Sequence, residues 1–507
     1  MKHVRQPLWA AAVACLALWG SPLAWAATWE IRPDCAPGAP RCLNHPQRLT
    51  QWQSVAPGDE VLIHPSGTEA GWVSQLGGAT VLHIENAQGT AQAPIVVRGV
   101  GLPKLVHGAN LTRSGHVVLQ DLDITEQRRG PDGSGRPALT LQGGTRHVQI
   151  FNSHVHHATG SGVHVSADAG AFLRVGPGNR ITQNGQHGVA VSAPGFDRAL
   201  PAPAVSSEIT GNQIVGNGLH GVELSGSYWR VSQNQVLQNG WSQGGTSGIH
   251  LFSRTDTPGA LDCDRNEVVY NTVALQIDRT AYDGNGLQVD HFCDHNILAF
   301  NVAWLNDGAG LSVVAARGNV VAHNTLVANA QDVNRANSPA LRAELILASW
   351  PDFCWNPHVD AASCRLPTGR ASDNLVIGNL LQATQPGVPA VWVNDDAADP
   401  VRNRNKFGPN LLGHVAGGPL LNWAAAQASD ARGVDLLTQG SADAGVALAE
   451  HVAFVDAANP MPPRHGLRLQ AMPSRVGWGP LSNLPDAAGV LPAKGMSGWG
   501  AYYFAPR

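Results

Sequence analysis

Ser161-Gly-Val-His-Val-Ser166, His187-Gly-Val-Ala-Val-Ser192 and His220-Gly-Val-Glu-Leu-Ser225 are three copies of one phrase, and three more follow. These are Ser247-Gly-Ile-His-Leu-Phe252, Asn285-Gly-Leu-Gln-Val-Asp290 and Ala309-Gly-Leu-Ser-Val-Val314. Each is a glycine followed by apolar/polar alternation, the pattern of a half-buried strand. Between copies runs a second phrase with a fixed asparagine: Asn212, Asn234, Asn271, Asn301 and Asn324. A turn completes the set, Asn184-Gly185, Asn217-Gly218 and Asn239-Gly240, with Asn306-Asp307 in the same place. The six glycines are spaced by 26, 33, 27, 38 and 24 residues. Such periods mean stacked supersecondary units, each built from three short strands.

One such unit cannot bury its inward valines and leucines alone. Parallel rungs about 4.8 Å apart bury them as a continuous core. The recurring asparagine can stack into a ladder, and glycine after Asn or His is expected to supply positive φ at a tight corner. The pattern predicts an all-β, single-stranded, right-handed parallel β-helix. Leucine-rich repeats would need Leu-x-x-Leu-x-Leu and helical spacers. A propeller would need four antiparallel strands in a longer period, and a β-sandwich would leave the glycine spacing to coincidence.

Composition agrees. The chain has 507 residues, 57 glycines and only 14% charged residues. A net charge of -4 gives no case for nucleic acid or an anionic membrane surface. Residues 1–26 read as an export signal: Lys2 and Arg5, an apolar run from Leu8 to Trp19, then Ala24-Trp25-Ala26. A secreted or periplasmic protein, with no membrane attachment after cleavage, follows. The six cysteines beyond it are then expected as disulfides. Proximity favours Cys35–Cys42, Cys263–Cys293 (about one rung apart) and Cys354–Cys364. The absence of Cys-x-x-Cys argues against a zinc site.

The expected organisation is a β-helix over 27–415, with a helical N-terminal cap within Gln47–Val55. A long irregular insertion is expected at 334–371. An irregular C-terminal extension over 416–507, rich in Ala, Asp and Pro, should pack on the solenoid. The expected state is monomeric.

Period-two alternation sorts the repeated strand. Val163, Val189, Val222, Ile249, Leu287 and Leu311 face inward. One outward column reads His164, Ala190, Glu223, His250, Gln288, Ser312, and the next reads Ser166, Ser192, Ser225, Phe252, Asp290, Val314. Glu223, His250, Gln288 and Asp290 should therefore form one polar patch, flanked by His220, Asp283 and Arg279. A carboxylate beside an imidazole is an acid/base pair; an ordinary solvated sheet face is the plainer reading. Glu223, His250, Asp290 and Arg279 are the catalytic candidates. Gln288, His220, His164, Trp350 and Trp355 are candidates for substrate binding, the tryptophans by stacking on sugar rings from the insertion. Asp283 and Asp307 could hold calcium, which takes oxygen ligands; as Asp-Gly turns they are also ordinary punctuation.

The opening Pro57-Gly-Asp-Glu-Val-Leu-Ile63, the Asn/Gly rungs and the closing Phe454-Val-Asp-Ala-Ala-Asn459 with Leu467-Arg-Leu-Gln470 resemble the pectate lyase-like superfamily. The resemblance covers most of the chain and concerns fold far more than activity. It implies action on acidic polysaccharides as a lyase, hydrolase or epimerase. Asn301-Val-Ala-Trp-Leu-Asn-Asp-Gly308 is similar to the rung around the calcium site of family 9 pectate lyases, but their paired Asp-Asp and Gly-Phe-Asp are missing. None of the four lysines (Lys2, Lys104, Lys406, Lys494) lies in the central rungs, which argues against a lysine base. The signatures of alginate epimerases and polygalacturonases are also missing, so no single family is indicated.

Two readings remain. One is a lyase that β-eliminates a uronate polysaccharide, with His250 or His291 as base and Arg279, Arg317 or calcium neutralising the carboxyl. The other is a non-catalytic carbohydrate-binding or surface solenoid; a hydrolase or epimerase on the same fold is a further alternative to the lyase.

Overall fold

The computed structural model describes residues 26–197, 199–200, 204–254, 262–279, 283–332, 342–350, 369–399, 403–438, 448–449, 487, 497–499 and 501–504. The export-signal stretch, Trp355, the Cys354/Cys364 pair and the Phe454–Gln470 motifs lie outside these residues.

The chain forms a right-handed parallel β-helix. Each rung contributes one strand to each of three long parallel sheets, as in Val222–Leu224, Trp229–Ser232, Gln235–Leu237 and then Ile249–Leu251, back in the sheet where it began. The sheet carrying the glycine-headed strands runs in strict register: Val163, Val189, Val222, Ile249, Leu287 and Leu311 pair in sequence. All six are fully buried, as alternation required. Each such side chain contributes about 1.5–3 kcal/mol relative to exposure.

The asparagines form ladders. Asn179, Asn212, Asn234, Asn271, Asn301, Asn324 and Asn379 each donate Nδ2–H to the Oδ1 of the next, ending on Asn410, at 2.9–3.0 Å. Their backbone N–H groups donate to the same oxygens where the ladder is continuous, as Asn271 N does to Asn301 Oδ1 at 3.0 Å. A second ladder runs Asn184, Asn217, Asn239, Gln276, Asn306, Asn329 and ends on Glu344. Before four of these asparagines the corner is left-handed at a non-glycine residue: Gln233 (φ 56°), Tyr270 (62°), Phe300 (56°) and His323 (54°). That conformation costs roughly 1–2 kcal/mol per residue, and the ladder bonds inside the corner offset it.

The repeated glycines do something other than expected. Gly162, Gly188, Gly221, Gly248, Gly286 and Gly310 do not have positive φ, whereas Gly240 does (91°). They are needed because there is no room for a Cβ. At Gly248 it would lie 2.3 Å from Val273 Cγ1 and 2.7 Å from the carbonyl oxygen of Gly286. The glycine marks close approach of a neighbouring sheet and the next rung, with the strained corner placed elsewhere.

At the N-terminal end two 3-10 turns, Pro46–Arg48 and Trp52–Ser54, cover the first rungs, with Trp52 1% exposed. The 334–371 stretch is not irregular throughout. Leu345–Ala348 is a rung strand paired between Leu311–Val314 and Val391–Val393, its four residues buried. Its unbroken Leu-Ile-Leu-Ala run hid the alternation. The coil also continues past residue 415: Leu421–Trp423 pairs in parallel with Val391–Val393. An antiparallel return, Ala426–Ala428, and the helix Ala431–Thr438 then close that end. Ala501 and Tyr502 pack against Val302, Val327, Leu380 and Leu411 on the coil's side. Among the described residues two disulfides are formed, Cys35–Cys42 and Cys263–Cys293, with Cα separations of 5.4 and 5.0 Å. No helix among the described residues is long and apolar enough to cross a membrane.

Candidate functional site

The glycine-headed sheet builds the polar patch directly. Ala190, Glu223, His250, Gln288 and Ser312 are successive register partners. Asp290 follows the Gln288 strand and donates its N–H to Leu251 O at 3.0 Å. His250 Nε2 lies 3.4 Å from Asp290 Oδ2, and His291 Nδ1 lies 2.9 Å from Asp290 Oδ1. Burial works against the charged Asp290, but the two histidine contacts prevail and hold it below the usual carboxylate range.

Two residues at the corner before the glycines complete the cluster. His220 Nε2 is 3.1 Å from His250 Nδ1, and His187 stacks on His220 with ring centroids 5.2 Å apart. Glu223 Oε2 lies 3.5 Å from His187 Nε2 and 3.7 Å from His220 Nε2. The sequence places His220 in the patch but passes over His187. Alternation counted from the glycine assigns both to the inward side, and the chain bends there, so parity fails. The signal was present all the same: histidine stands before the glycine in two consecutive copies.

Ser247 N–H donates to His220 Nδ1 at 2.9 Å. In neutral His220 the proton is therefore on Nε2, which donates to His250 Nδ1, and His250 Nε2–H then faces Asp290. Burial drives the pKa of His220 well below its ordinary value, with His250 and His187 adding to it. Burial also lowers His187, against the pull of Glu223. At His250 burial lowers the pKa, Asp290 more than reverses this, and the His220 N–H aimed at Nδ1 resists a second proton. The result is a chain of fixed tautomers ending on an anion, with Glu223 at its more open end (side chain 26% exposed, against 7% for His250).

The other sequence candidates divide. Gln288 sits in the column but is buried, its Oε1 accepting from Ser247 Oγ at 2.5 Å and Asn285 Nδ2 at 3.1 Å. Such an oxygen is already satisfied, so Gln288 shapes the patch more than it meets a ligand. His164 lies two rungs from Glu223; burial lowers its pKa first, then the charge of Arg254. Arg254, just after the His250 strand, therefore stands near this face. Sequence reasoning missed it, because a loop side chain has no parity. Arg279 is exposed, with no ion pair to the cluster among the described residues. Arg317 is committed elsewhere, paired through Nη2 with buried Asp294 at 2.7 Å. Asp283 acts electrostatically on His250, whereas Asp307 Oδ2 caps the Asp278 N–H at 2.9 Å, a turn role. Trp350 is 37% exposed just beyond the Leu345–Ala348 strand. Trp392, unremarked in the sequence, continues the His250 column through Ser312 and Ile346.

His187, His220 and Glu223 bring three metal-type ligand atoms within 4.8 Å of one another. The Ser247 bond argues against a metal there, because it keeps the proton on the His220 nitrogen that would have to ligate.

Residues 105–273 and 139–338 match the family described as the right handed beta helix region. Fold and repeat together make the chain a right-handed parallel β-helix protein, with no particular enzyme family singled out. No curated protein matches the sequence. Among solved structures it is similar to the A-module of a mannuronan C-5 epimerase of Azotobacter vinelandii, with 16% identity, 69% of this chain and 85% of that one covered, and TM-score 0.47. A lacto-N-biosidase of Eubacterium ramulus gives 14% identity, 75% and 66% coverage, and TM-score 0.46. A polysaccharide lyase of Pseudopedobacter saltans gives 12% identity, 88% and 97% coverage, and TM-score 0.45. At these values the likenesses carry no argument about this chain's reaction.

Proposed function

We propose that the protein is an exported enzyme that cleaves an acidic, uronate-containing polysaccharide by β-elimination on the Glu223 face. One observation carries the reading: a carboxylate at the open end of a histidine chain whose tautomers are fixed from both sides. A plain solvated sheet face has no reason to stack His187, His220 and His250 around one glutamate. The two disulfides fit an oxidising compartment.

Elimination needs a base for the proton α to the uronate carboxyl and a cation to neutralise that carboxyl. Glu223 takes the C5 proton and the freed electron pair forms the C4=C5 bond. The C4–O bond breaks, and the departing oxygen recovers a proton from the same carboxyl. Arg254 is the neutralising cation. His187 Nε2 faces the Glu223 carboxylate, while His250 and Asp290 position His220 beside it. Trp350 and Trp392 lie farther along the same sheet, where sugar rings of a chain parallel to the helix axis would stack.

The test is purified protein on a panel of polyuronates, following the ultraviolet absorbance of the unsaturated product. Wild type should give a steady rise on at least one of them and Glu223→Gln none. New reducing ends without absorbance would replace elimination by hydrolysis, and oligosaccharide binding without cleavage would make the protein a binder.

A further inference from the structure

We propose a second site, for a borderline divalent cation such as zinc, on a different sheet: Asp123, His154 and His156. It is independent of the elimination chemistry. Asp123 and His154 are direct register partners in neighbouring rungs, and His156 lies two places along from His154. Between the two histidines Val155 is fully buried, so alternation turns both rings to the outer face. The rings stack with centroids 3.9 Å apart and planes 19° off parallel. His156 Nε2 lies 2.7 Å from Asp123 Oδ1, and the ligand atoms of all three residues fall within 4.8 Å of one another.

Zinc binds nitrogen and carboxylate oxygen at about 2.0–2.2 Å, which sets two ligands of one tetrahedral ion about 3.4 Å apart. Small side-chain rotations bring the three atoms to that spacing. Two imidazoles and one carboxylate suit zinc, nickel or copper; calcium would want six to eight oxygens. The outer contacts fit as well. His156 Nδ1 lies 2.6 Å from His157 Nδ1, so when Nε2 gives its lone pair to an ion, Nδ1–H donates to His157. Such a partner orients a ligating histidine. His154 Nε2 lies 3.0 Å from Thr182 Oγ1, a hydroxyl one rung on that can turn its hydrogen away. Here lies the contrast with His187, His220 and Glu223, where a backbone N–H, which cannot turn, blocks ligation. Lys104 and Arg180 hold the register positions on either side of Asp123 and His154, but both are exposed, so water screens their charge.

Full-length, untagged, chelator-treated protein titrated with zinc chloride by calorimetry tests the site, with bound zinc per chain counted after gel filtration. One zinc per chain is expected. His156→Ala and the near-isosteric Asp123→Asn should lose it at concentrations that saturate wild type, while melting as cooperatively as wild type. His157→Ala should weaken binding roughly 10–100-fold, and His187→Ala should leave stoichiometry and affinity unchanged. No zinc binding by wild type, zinc kept at wild-type affinity by both His156→Ala and Asp123→Asn, or zinc lost in His187→Ala would each overturn the proposal.

Discussion

His220 Nε2 lies 3.1 Å from His250 Nδ1, while the other His220 nitrogen is fixed at 2.9 Å by the backbone N–H of Ser247. Two neutral imidazoles in that order can carry a hydrogen bond in one direction only, from the Ser247 backbone towards Asp290. Glu223 accordingly stands beside His220, a histidine whose proton position is set by the fold.

Substitutions along this chain should separate chemistry from positioning. Glu223→Gln removes the base and should abolish product formation on any polyuronate that wild type cleaves. His250→Ala leaves the base but frees His220 to turn, so kcat should fall roughly 10–100-fold with KM little changed, in line with the loss of a group that orients the reacting one. If both variants keep full activity while folded, the site lies elsewhere, and Asp283 and Asp307 with a calcium chelator are the next test.

The first asparagine ladder should be costly to interrupt. Asn271 Oδ1 accepts from Asn234 N and Nδ2 at 3.1 and 3.0 Å, and its own Nδ2 donates to Val231 O at 2.8 Å. Asn271→Ala strips partners from buried groups that water cannot reach. Each unmet group costs about 1–3 kcal/mol, so urea unfolding should show a loss of at least about 2 kcal/mol. A change within error would mean that the rungs do not depend on the ladder.

The Cys263–Cys293 bridge has a sequence separation of 30, and both cysteines are fully buried. Opening a loop of that length should cost about 3–4 kcal/mol through the freedom it restores to the unfolded chain. The paired Cys263→Ala, Cys293→Ala variant should melt well below wild type under non-reducing conditions. Equal melting temperatures would show that the stacked rungs alone set the stability there.

Glu344 should make stability depend on pH. Burial pushes it up to about 8, against the hydrogen bonds from Asn329 N and Nδ2. The folded state thus holds this proton more tightly than the unfolded chain, where a glutamate titrates near about 4.3. Stability from this group is full below that lower value and falls as pH rises towards about 8. Glu344→Gln, an uncharged end for a ladder that already includes Gln276, should flatten the decline and raise the melting temperature at pH 8. A variant that follows the wild-type pH profile would assign the dependence to other groups.

The inward column and the neighbours Glu223, His250 and Gln288 were legible because period two and a fixed glycine suffice to set register along extended strands. Corners obey no such rule. His187 and His220 stand where the chain bends, so their direction could not be counted from the glycine. Arg254 acts on His164 from a loop, and Arg317 is spent on Asp294. Leu345–Ala348 escaped notice because a strand buried on both faces shows no alternation.

The sequence by itself determined the rung, its stacking and the side chains that repeat on each face, since these follow from local periodicity and from the need to bury valine and leucine. Only the tertiary structure decided what the corners do. The repeated glycines are required by atoms of another sheet and the next rung, between 15 and 38 residues away. The proton positions on His220 and His250 depend on Ser247 and Asp290, each 27 or more residues from the ring it contacts. Contacts across rungs are long-range in the chain and short-range in space, and no count along a single strand contains them.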